Sequence, residues 1–326
     1  MISMPLIHSR QKGFILVITG ATLWGISGTV AQFLFHYHHF TPEWLVSIRL
    51  LISGFVLLVL ANALAKNRVF SIWKNRRDIL QILFFSILGM LAVQYTYFAA
   101  IKHSNAATAT VLQYLAPVLI AFYLTFRYRR KPSNRELVSI ILAIFGTFLL
   151  VTKGSVDRLT ITGVALFWGL LSAFALAFYT LQPLKLLAKY GSMVVVGWGM
   201  LIGGVSFSFI HPPWIIQGQW SLHSILAVCF IVLFGTLIAF IFYLESLKYI
   251  SASETSVLAC VEPLSAAFLS VIWLQVRFGI EEWIGTLCII STIMILSTVD
   301  KKNIIKLHQK LEPFHRNVLV FLILKE

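Results

Sequence analysis

The composition of this 326-residue chain is that of a protein that lies in a lipid bilayer. Hydrophobic residues make up 59% of the sequence and charged residues 12%, about half the charged share of an average soluble domain. A purely soluble protein is excluded, because no soluble core needs so much apolar surface. The net charge of +14 could suit nucleic acid, but the basic residues are distributed as in an oriented membrane protein, and we expect no nucleic-acid partner.

Ten segments are long and apolar enough to cross a bilayer, which takes roughly 17 to 25 residues. The first begins at Gly13 and is too long for a signal peptide, so we interpret it as an uncleaved span. The connections between segments are mostly brief and leave no room for a soluble domain. The sequence therefore predicts an all-α membrane protein with spans near residues 13–35, 43–64, 79–101, 106–126, 136–152, 162–184, 191–210, 224–247, 253–276 and 282–299.

Lysine and arginine concentrate on one side of the predicted membrane. If the N-terminal segment, residues 1–12, lies in the cytoplasm, all but five of the 26 Lys and Arg residues fall in inner segments. The positive-inside rule then predicts a cytoplasmic-membrane protein with both termini in the cytoplasm. The five exceptions are Arg49 within a span and Lys102, Lys153, Arg158 and Arg277 in outer loops.

One stretch of the chain repeats at a fixed offset. Residues 89–117 align without a gap with residues 235–263, 146 positions later. Self-similarity of this length indicates a duplicated fold. The identical columns are Gly89/Gly235, Leu91/Leu237, Tyr97/Tyr243, Lys102/Lys248, Ala106/Ala252, Val111/Val257, Leu112/Leu258 and Pro117/Pro263, and Gly13/Gly163, Gln32/Gln182 and Gly54/Gly204 match at an offset of 150.

The duplicated unit contains five spans, and this number sets the relation between the two copies. The first copy covers residues 13–152 and the second covers residues 162–299. An odd number of spans inverts the second copy relative to the first and gives a pseudo-two-fold axis in the membrane plane. We therefore predict ten transmembrane helices as two inverted five-helix repeats. The binding site would lie between the halves and be exposed alternately to each side.

Residues 300–326 form a basic tail that differs in character from the spans. Part of it could lie as an amphipathic helix on the inner membrane surface, attracted by anionic lipid. Disorder is an equal alternative for so exposed a terminus. The apolar run 318–324 is too short to span the membrane.

Glu262 is the strongest candidate for chemistry, since it lies near the middle of the ninth span and directly before Pro263. Ionisable groups inside a membrane are costly and are functional candidates by default. Proline removes a backbone donor and leaves carbonyl oxygens open to a ligand or to water. A carboxylate at such a break could bind a cationic group or take up a proton. Alternatively, it only ties two helices together. Pro117 marks the equivalent depth in the first half.

Other polar side chains within the predicted spans are also candidates for binding a solute or a proton. Arg49, near the outer end of the second span, either reaches outward to water or meets an anionic substrate. Glu245, Lys248 and Glu254 form an inner-face charge cluster for which a structural role is favoured. The remaining candidates could equally be polar or packing contacts between helices, namely Gln94, Tyr97, Gln113, Tyr114, Trp24 and Tyr243.

The sequence carries no defined motif for metal binding or catalysis. The outer-loop histidines His36, His38, His39 and His211 suit a transition metal in chemistry, but they form no defined ligand set. The three cysteines lie in apolar runs without metal-ligand spacing. Zinc-protease, nucleophile-elbow and phosphate-loop patterns do not occur. We therefore expect no metal, no cofactor and no enzymatic activity.

These features together resemble the drug/metabolite transporter superfamily, in its ten-helix EamA-type branch. The resemblance covers roughly residues 13–299 and is carried by the repeat, by Thr22-Leu23-Trp24-Gly25, and by the patterns Ala106…Leu112…Pro117 and Ala252…Leu258…Glu262-Pro263. It implies an inner-membrane secondary carrier for small organic solutes, commonly an exporter. Family members often carry a glutamate after spans four and nine, where this chain has Arg130 and Val276, so no role is transferred from those glutamates.

The leading hypothesis is a carrier that works by alternating access around a central cavity lined by spans one, three, four, six, eight and nine. It would move a metabolite or an amphipathic drug and could be coupled to protons through Glu262. The expected partners are a small-molecule solute and membrane lipids, with a homodimer left open. Two alternatives are a membrane-embedded enzyme acting on lipid-linked substrates and a non-transporting sensor or scaffold.

Overall fold

The computed structural model describes residues 4–65, 69–127, 129, 131–154, 161–250, 255 and 258–297. All regular elements in these ranges are helical, which confirms the predicted all-α class. The tail from residue 298 onward and Glu254 lie outside the described residues, so the predictions for them stay predictions.

The described residues up to Thr152 form seven α-helices and two other helical segments. A 3₁₀ helix (Val69–Lys74) precedes the third α-helix, and a π-helical segment (Phe85–Leu91) continues it. The α-helices are α1 (Met4–Tyr37), α2 (Pro42–Ala65), α3 (Arg76–Phe84), α4 (Ala92–His103), α5 (Ala106–Gln113), α6 (Ala116–Arg127) and α7 (Asn134–Thr152).

The second half contains the remaining described helices. A second π-helical segment (Leu233–Ile238) interrupts the long helix that begins at Leu222. The α-helices are α8 (Gly163–Leu181), α9 (Leu184–Tyr190), α10 (Ser192–Ser208), α11 (Leu222–Val232), α12 (Ala239–Ser246), α13 (Val261–Ile272) and α14 (Ile280–Ser297).

Seven helices among the described residues are long and apolar enough to cross a membrane. The chain is therefore a multi-pass membrane protein. The other three predicted spans coincide with α10, α13 and α14, which are not among the seven. The seven are Arg10–Tyr37, Pro42–Leu64, Arg76–His103, Ala106–Arg127, Asn134–Thr152, Gly163–Leu181 and Leu222–Ser246.

Irregular backbone occurs at corresponding places in the two halves. The two π-helical segments contain Gly89 and Gly235, which are a matched column of the sequence repeat. A turn separates α5 from α6 at residues 114–115, and another precedes α13 at residues 259–260. Each turn is followed within three residues by a proline, whose ring clashes with the carbonyl four residues earlier and whose nitrogen cannot donate a hydrogen bond. The same sequence feature thus breaks the helix in both halves.

Helices α2 and α10 cross closely at a reciprocal pair of glycines. A Cβ atom at position 54 would lie 2.5 Å from the Leu201 backbone nitrogen, and one at position 204 would lie 2.9 Å from the Leu51 backbone nitrogen. Both pairs of equivalent positions are 150 residues apart, so each half makes the contact that the other makes. Each of the two glycines thus lies against the backbone of the other helix.

Other helix contacts also join the first half of the chain to the second. Helix α1 of the first half packs against α12 and α13 of the second, and α8 of the second half packs against α4 and α5 of the first. Helices α7 and α14 pack against each other. The main buried cluster lies between α1, α2, α4 and α10, and its largest fully buried side chains include Phe40, Phe85 and Phe98. Through these pairings α1 contacts α4, α5, α12 and α13.

Candidate functional site

Glu262 lies in the first turn of α13, directly after the helix break, and its side chain is half-buried. The Tyr114 hydroxyl lies 2.9 Å from the Glu262 carboxylate and 3.0 Å from the Ala259 carbonyl oxygen, so it donates to one or the other. In a continuous helix, the residue at position 263 would donate to the Ala259 oxygen, but proline has no N–H. Tyr114 lies in the helix break of the first half, and its hydroxyl thus binds residues at the helix break of the second half.

Helix α1 brings an aromatic side chain to the same region. A Cβ atom at position 25 would lie 2.5 Å from the Glu262 carbonyl oxygen, so only a glycine lets α1 approach α13 this closely. The preceding residue, Trp24, contacts Tyr243 and Phe240 with ring centroids 5.1 Å apart. Trp24, Tyr114, Tyr243 and Glu262 are all half-buried, so each keeps some accessible surface.

Tyr97 and Tyr243, a matched column of the repeat, both lie within electrostatic reach of the Glu262 carboxylate. Tyr97 is buried, and its hydroxyl lies 2.8 Å from the Thr110 hydroxyl. A Cβ atom at position 28 would lie 2.5 Å from the Tyr97 oxygen, so a glycine in α1 makes room for the hydroxyl. One tyrosine from each half of the chain is therefore close enough to this carboxylate to feel its charge.

Arg49 is inside the protein rather than extended to water. The side chain is 4% exposed, and its Nε donates to Thr236 Oγ1 at 3.1 Å. The guanidinium carbon lies 4.7 Å from the centre of the Phe98 ring. Thr236 belongs to the second π-helical segment, where its hydroxyl also donates to the Ile231 carbonyl oxygen at 2.8 Å. Of the two interpretations of Arg49, the outward one is therefore wrong.

Three sequence candidates are placed away from these contacts. The Gln94 amide lies 4.0 Å from the sulfur of Met90 on its own helix, so it faces a different neighbour from Tyr97. Gln113 is buried at the end of α5, and no hydrogen bond among the described residues joins it to Glu262. Pro117 is half-buried in the first turn of α6 and acts on the backbone there. These positions do not support a role in solute binding for Gln94 or Gln113.

The predicted inner-face charge cluster is described only in part. Lys248 and Glu245 form an ion pair of 2.6 Å one helical turn apart, with the lysine 65% exposed. Exposed pairs of this kind contribute only about 0.2–1 kcal/mol. A structural role is consistent with this geometry, while Glu254 lies outside the described residues.

An ionic contact between the halves was missed by the sequence reasoning. Asp78 of α3 accepts from Lys189 Nζ and from the Tyr190 hydroxyl of α9, each at 2.6 Å. We call these three residues the Asp78 cluster. The hydrogen bond to Asp78 is the main reason why the pKa of Lys189 is raised. Asp78 is the only acidic residue in the basic stretch 66–84, and this contrast is the signal that could have identified it.

A second contact between the halves lies at the opposite end of α2. The turn between α1 and α2 meets the segment after α10, and we call this contact the seam (residues 38–47 with 211–219). Helix α2 has 24 residues and is therefore about 36 Å long; the seam lies at its N-terminal end, and the chain reaches Asp78 thirteen residues after its C-terminal end. The seam includes Trp44 Nε1 donating to the Pro213 oxygen at 3.0 Å, Ser47 Oγ donating to the His211 oxygen at 3.3 Å, and the Gln219 amide donating to the His38 oxygen at 2.7 Å.

Two of the outer-loop histidines contact backbone carbonyl oxygens rather than each other. His36 Nε2 lies 3.1 Å from the Lys102 carbonyl oxygen, and His38 Nδ1 lies 3.2 Å from the Gln219 carbonyl oxygen. Among the described residues, no three His, Cys, Asp or Glu side chains are grouped so that they could hold a metal ion.

The fold and the site define a class of protein: a helical, multi-pass membrane protein with a half-buried carboxylate among aromatic side chains. The model of the EamA-like transporter family matches residues 11–152 and again residues 163–298, and the chain belongs to this family. It is a membrane transporter and not an enzyme, and it works on a small-molecule solute in a lipid environment.

Individual relatives agree with this assignment. The chain is 41% identical over 298 residues to the "Uncharacterized inner membrane transporter YicL" of Salmonella typhimurium (strain LT2), covering 90% of this chain and 98% of the relative. It is 24% identical over 297 residues to the "Uncharacterized transporter YwfM" of Bacillus subtilis (strain 168), covering 89% and 95%. A solved structure titled "Crystal structure of protein" superposes with a TM-score of 0.59 at 17% identity, covering 89% of this chain and 97% of that one, and so shares the fold.

Proposed function

We propose that this protein is a proton-coupled secondary carrier that exports a small organic metabolite or drug across the cytoplasmic membrane by alternating access. Its ten transmembrane helices form two inverted five-helix repeats, residues 13–152 and 162–299. Both termini lie in the cytoplasm. The mechanism needs neither nucleic acid nor a second copy of the chain, so a homodimer would be an addition to it.

The inverted repeat is supported by three independent features. The family model matches once in each half of the chain. The α2–α10 crossing is reciprocal at an offset of 150, with each glycine against the backbone of the other helix. The π-helical segments and the proline breaks recur at corresponding positions. Helix breaks at matching places in two halves are typical of carriers with a site between inverted repeats.

The observation that carries the function is the hydrogen bond of 2.9 Å between Tyr114 and Glu262. It joins the break of the first half to the break of the second, and it places an ionisable carboxyl group where the two halves meet. A half-buried carboxylate in a low-dielectric setting is costly unless it is protonated or paired. Water or a cationic group of the solute would favour loss of the proton, and closure of the site would favour its return. Proton movement in one direction is then linked to solute movement in the other.

The site itself is formed by residues that keep some accessible surface. Glu262, Trp24, Tyr114 and Tyr243 line it, with Tyr97 buried behind them. The aromatic side chains supply apolar area, and their polar ends can orient a solute. Pro263 and Pro117 hold the two breaks open. Ligand sites with mostly apolar walls and few polar groups are common in proteins.

Alternation requires that the two ends of the molecule open in turn. The seam and the Asp78 cluster each join the first half to the second, and they lie at opposite ends of α2. With the termini inside, the seam lies on the outer side and the Asp78 cluster lies on the inner side. Breaking one set of contacts while keeping the other would open the site to one side at a time.

The test is transport by Glu262→Gln, with Glu245→Gln as a matched control, because Glu245 lies in the half-exposed pair with Lys248. Solutes whose distribution depends on the parent protein are first identified in cells, and their flux is then measured in liposomes. We expect Glu262→Gln to fold and to exchange solute for solute without a gradient, but not to respond to an imposed pH gradient. Glu245→Gln should respond as the parent does. If Glu262→Gln follows the pH gradient like the parent, the carboxyl group is structural and the coupling lies elsewhere.

A further inference from the structure

The charge of Arg49 has no counter-charge within the described chain. No carboxylate of the described residues lies within ion-pair distance of its guanidinium. Its surroundings are one hydroxyl, Thr236 Oγ1 at 3.1 Å, and the face of Phe98 at 4.7 Å. An aromatic face attracts a cation, but it does not neutralise it. Burying a cation without a paired anion is expensive, and such residues in membrane proteins usually meet a substrate or an ion.

The guanidinium also has donors that are not used. An arginine side chain carries five N–H donors in a planar fork. Nε uses one of them on Thr236, and none of the hydrogen bonds among the described residues uses the Nη groups. Two parallel Nη–H donors match the two oxygens of a carboxylate or another oxyanion. The missing partner therefore has the chemistry of an oxyanion.

The position of Arg49 connects it to the proposed transport site. Arg49 and Glu262 are both close enough to the Tyr97 hydroxyl to act on it electrostatically, so the two residues lie in the same region of the protein. Arg49 comes from α2 of the first half, whereas its hydroxyl partner Thr236 comes from the second half. A group bound by Arg49 would thus lie between the halves, where a transported solute has to pass.

We infer that Arg49 binds the anionic group of the transported solute, a carboxylate or a comparable oxyanion. This rests on the proposed function and adds the class of substrate to it. Arg49 holds the anionic end of the solute, and Glu262 takes up the proton or the cationic group that is exchanged. In the present conformation Arg49 is 4% exposed, so the solute reaches it only when one end of the molecule opens.

The test compares the solutes moved by the parent with those moved by Arg49→Gln, Arg49→Lys and Ser53→Ala at matched membrane abundance. Mass spectrometry of the medium and of the cytoplasm of expressing cells identifies each solute whose distribution depends on the protein. We expect these solutes to carry an anionic group, to be lost with Arg49→Gln and to be reduced with Arg49→Lys. Ser53→Ala should retain their transport, because Ser53 also joins α2 to the second half, through the Val232 carbonyl oxygen at 3.3 Å, but its side chain makes no hydrogen bond with Arg49.

A second measurement separates recognition from folding. The identified solute and its primary amide are compared in liposomes, where the parent should prefer the acid by about 30-fold, the effect of losing one partner of a buried charge pair. Arg49→Gln should transport the two equally. The inference is overturned if the solutes lack an anionic group, if Arg49→Gln keeps the preference, or if Ser53→Ala loses transport as Arg49→Gln does. Transport of a solute without an anionic group that requires added chloride or phosphate would assign Arg49 to an inorganic anion and overturn it too. A parent that moves no solute defeats the transport proposal itself.

Discussion

At the scale of single residues, the Tyr114 hydroxyl joins the helix break of the first half to residues of the second half. It has one proton and two acceptors, the Glu262 carboxylate at 2.9 Å and the Ala259 carbonyl oxygen at 3.0 Å. When Glu262 is ionised, the carboxylate is the stronger acceptor. When Glu262 is protonated or has turned towards the solute, the carbonyl oxygen can take the bond instead. In the proposed mechanism, the hydrogen bond of Tyr114 therefore changes with the protonation of Glu262. Because Tyr114 lies in the helix break of the first half, that break responds to the change.

The corresponding variant, Tyr114→Phe, removes this proton and keeps the ring. We expect solute flux at matched membrane abundance to fall by about tenfold or more, since a hydrogen bond to a charged group contributes about 1.5–3 kcal/mol. Tyr123→Phe is a suitable control, because Tyr123 lies in α6 just after the first break and is 51% exposed. Initial rates of flux in liposomes check this prediction, and equal rates for the two variants would contradict it.

At the scale of helices, the proline breaks matter because they change which groups satisfy the backbone. Pro263 has no N–H for the Ala259 oxygen, which instead accepts from the Glu262 amide at 2.9 Å and lies 3.0 Å from the Tyr114 hydroxyl. In a regular helix at this point, the carbonyl oxygens would accept hydrogen bonds from N–H groups of the same helix and would not need the Tyr114 hydroxyl as a donor. The break is therefore what allows a contact between the halves at this depth.

Pro263→Ala restores the missing N–H group and should let the helix continue. We expect the free energy of unfolding to rise by about 1 kcal/mol, the net value of one backbone hydrogen bond, while transport falls. Pro117→Ala makes the same change at the other break, which has no adjacent carboxylate, and should reduce transport less. Thermal unfolding of the purified proteins is measured together with flux. Loss of protein and activity in equal measure would make Pro263 a folding element instead.

The sequence could predict these breaks and their equivalence, but not the contacts between them. Glu262, Pro263 and the repeat are visible because burial in lipid makes a charge or a proline conspicuous. The pairing of Tyr114 with Glu262 depends on how two helices 148 positions apart are rotated, and one sequence does not specify that rotation. The same holds for Arg49, whose burial follows from the direction in which α2 faces, and for Asp78 with Lys189. The π-helical segments were not predicted either, because residue preferences do not distinguish this small change in hydrogen bonding.

At the scale of the whole molecule, two sets of contacts join the first half of the chain to the second. The seam uses backbone and aromatic contacts, including the Trp44 indole on the Pro213 oxygen. The Asp78 cluster uses a partly exposed ion pair, with the lysine side chain 52% exposed. Such a pair contributes only about 0.2–1 kcal/mol. In the proposed mechanism, a free energy of this size is small enough for a solute or a proton to change which end opens.

A cysteine of the chain can report which end of the molecule is open. Cys260 lies two residues before Glu262, within electrostatic reach of Tyr114, and is 2% exposed. The chain has two other cysteines, Cys229 and Cys288. Cys229→Ser together with Cys288→Ser leaves Cys260 as the only thiol, so its rate of labelling measures access to the site.

The last prediction is that weakening the two ends changes this access in opposite directions. Asp78→Asn removes the ion pair, and Trp44→Phe removes the indole donor while keeping an aromatic ring. A membrane-impermeant maleimide is applied to intact cells, where it reaches only the outer side. With the termini in the cytoplasm, Trp44→Phe should raise the rate at which Cys260 is labelled, because it weakens the seam that closes the outer end. Asp78→Asn should lower this rate by up to about fivefold, which corresponds to the loss of at most ~1 kcal/mol of closure at the inner end.

In inside-out vesicles the two variants should exchange their effects, since the reagent then reaches the inner end. Alternating access requires this reversal, because opening at one end closes the other. If both variants raise labelling from the same side, the two contacts do not compete and the carrier does not work by alternation between them.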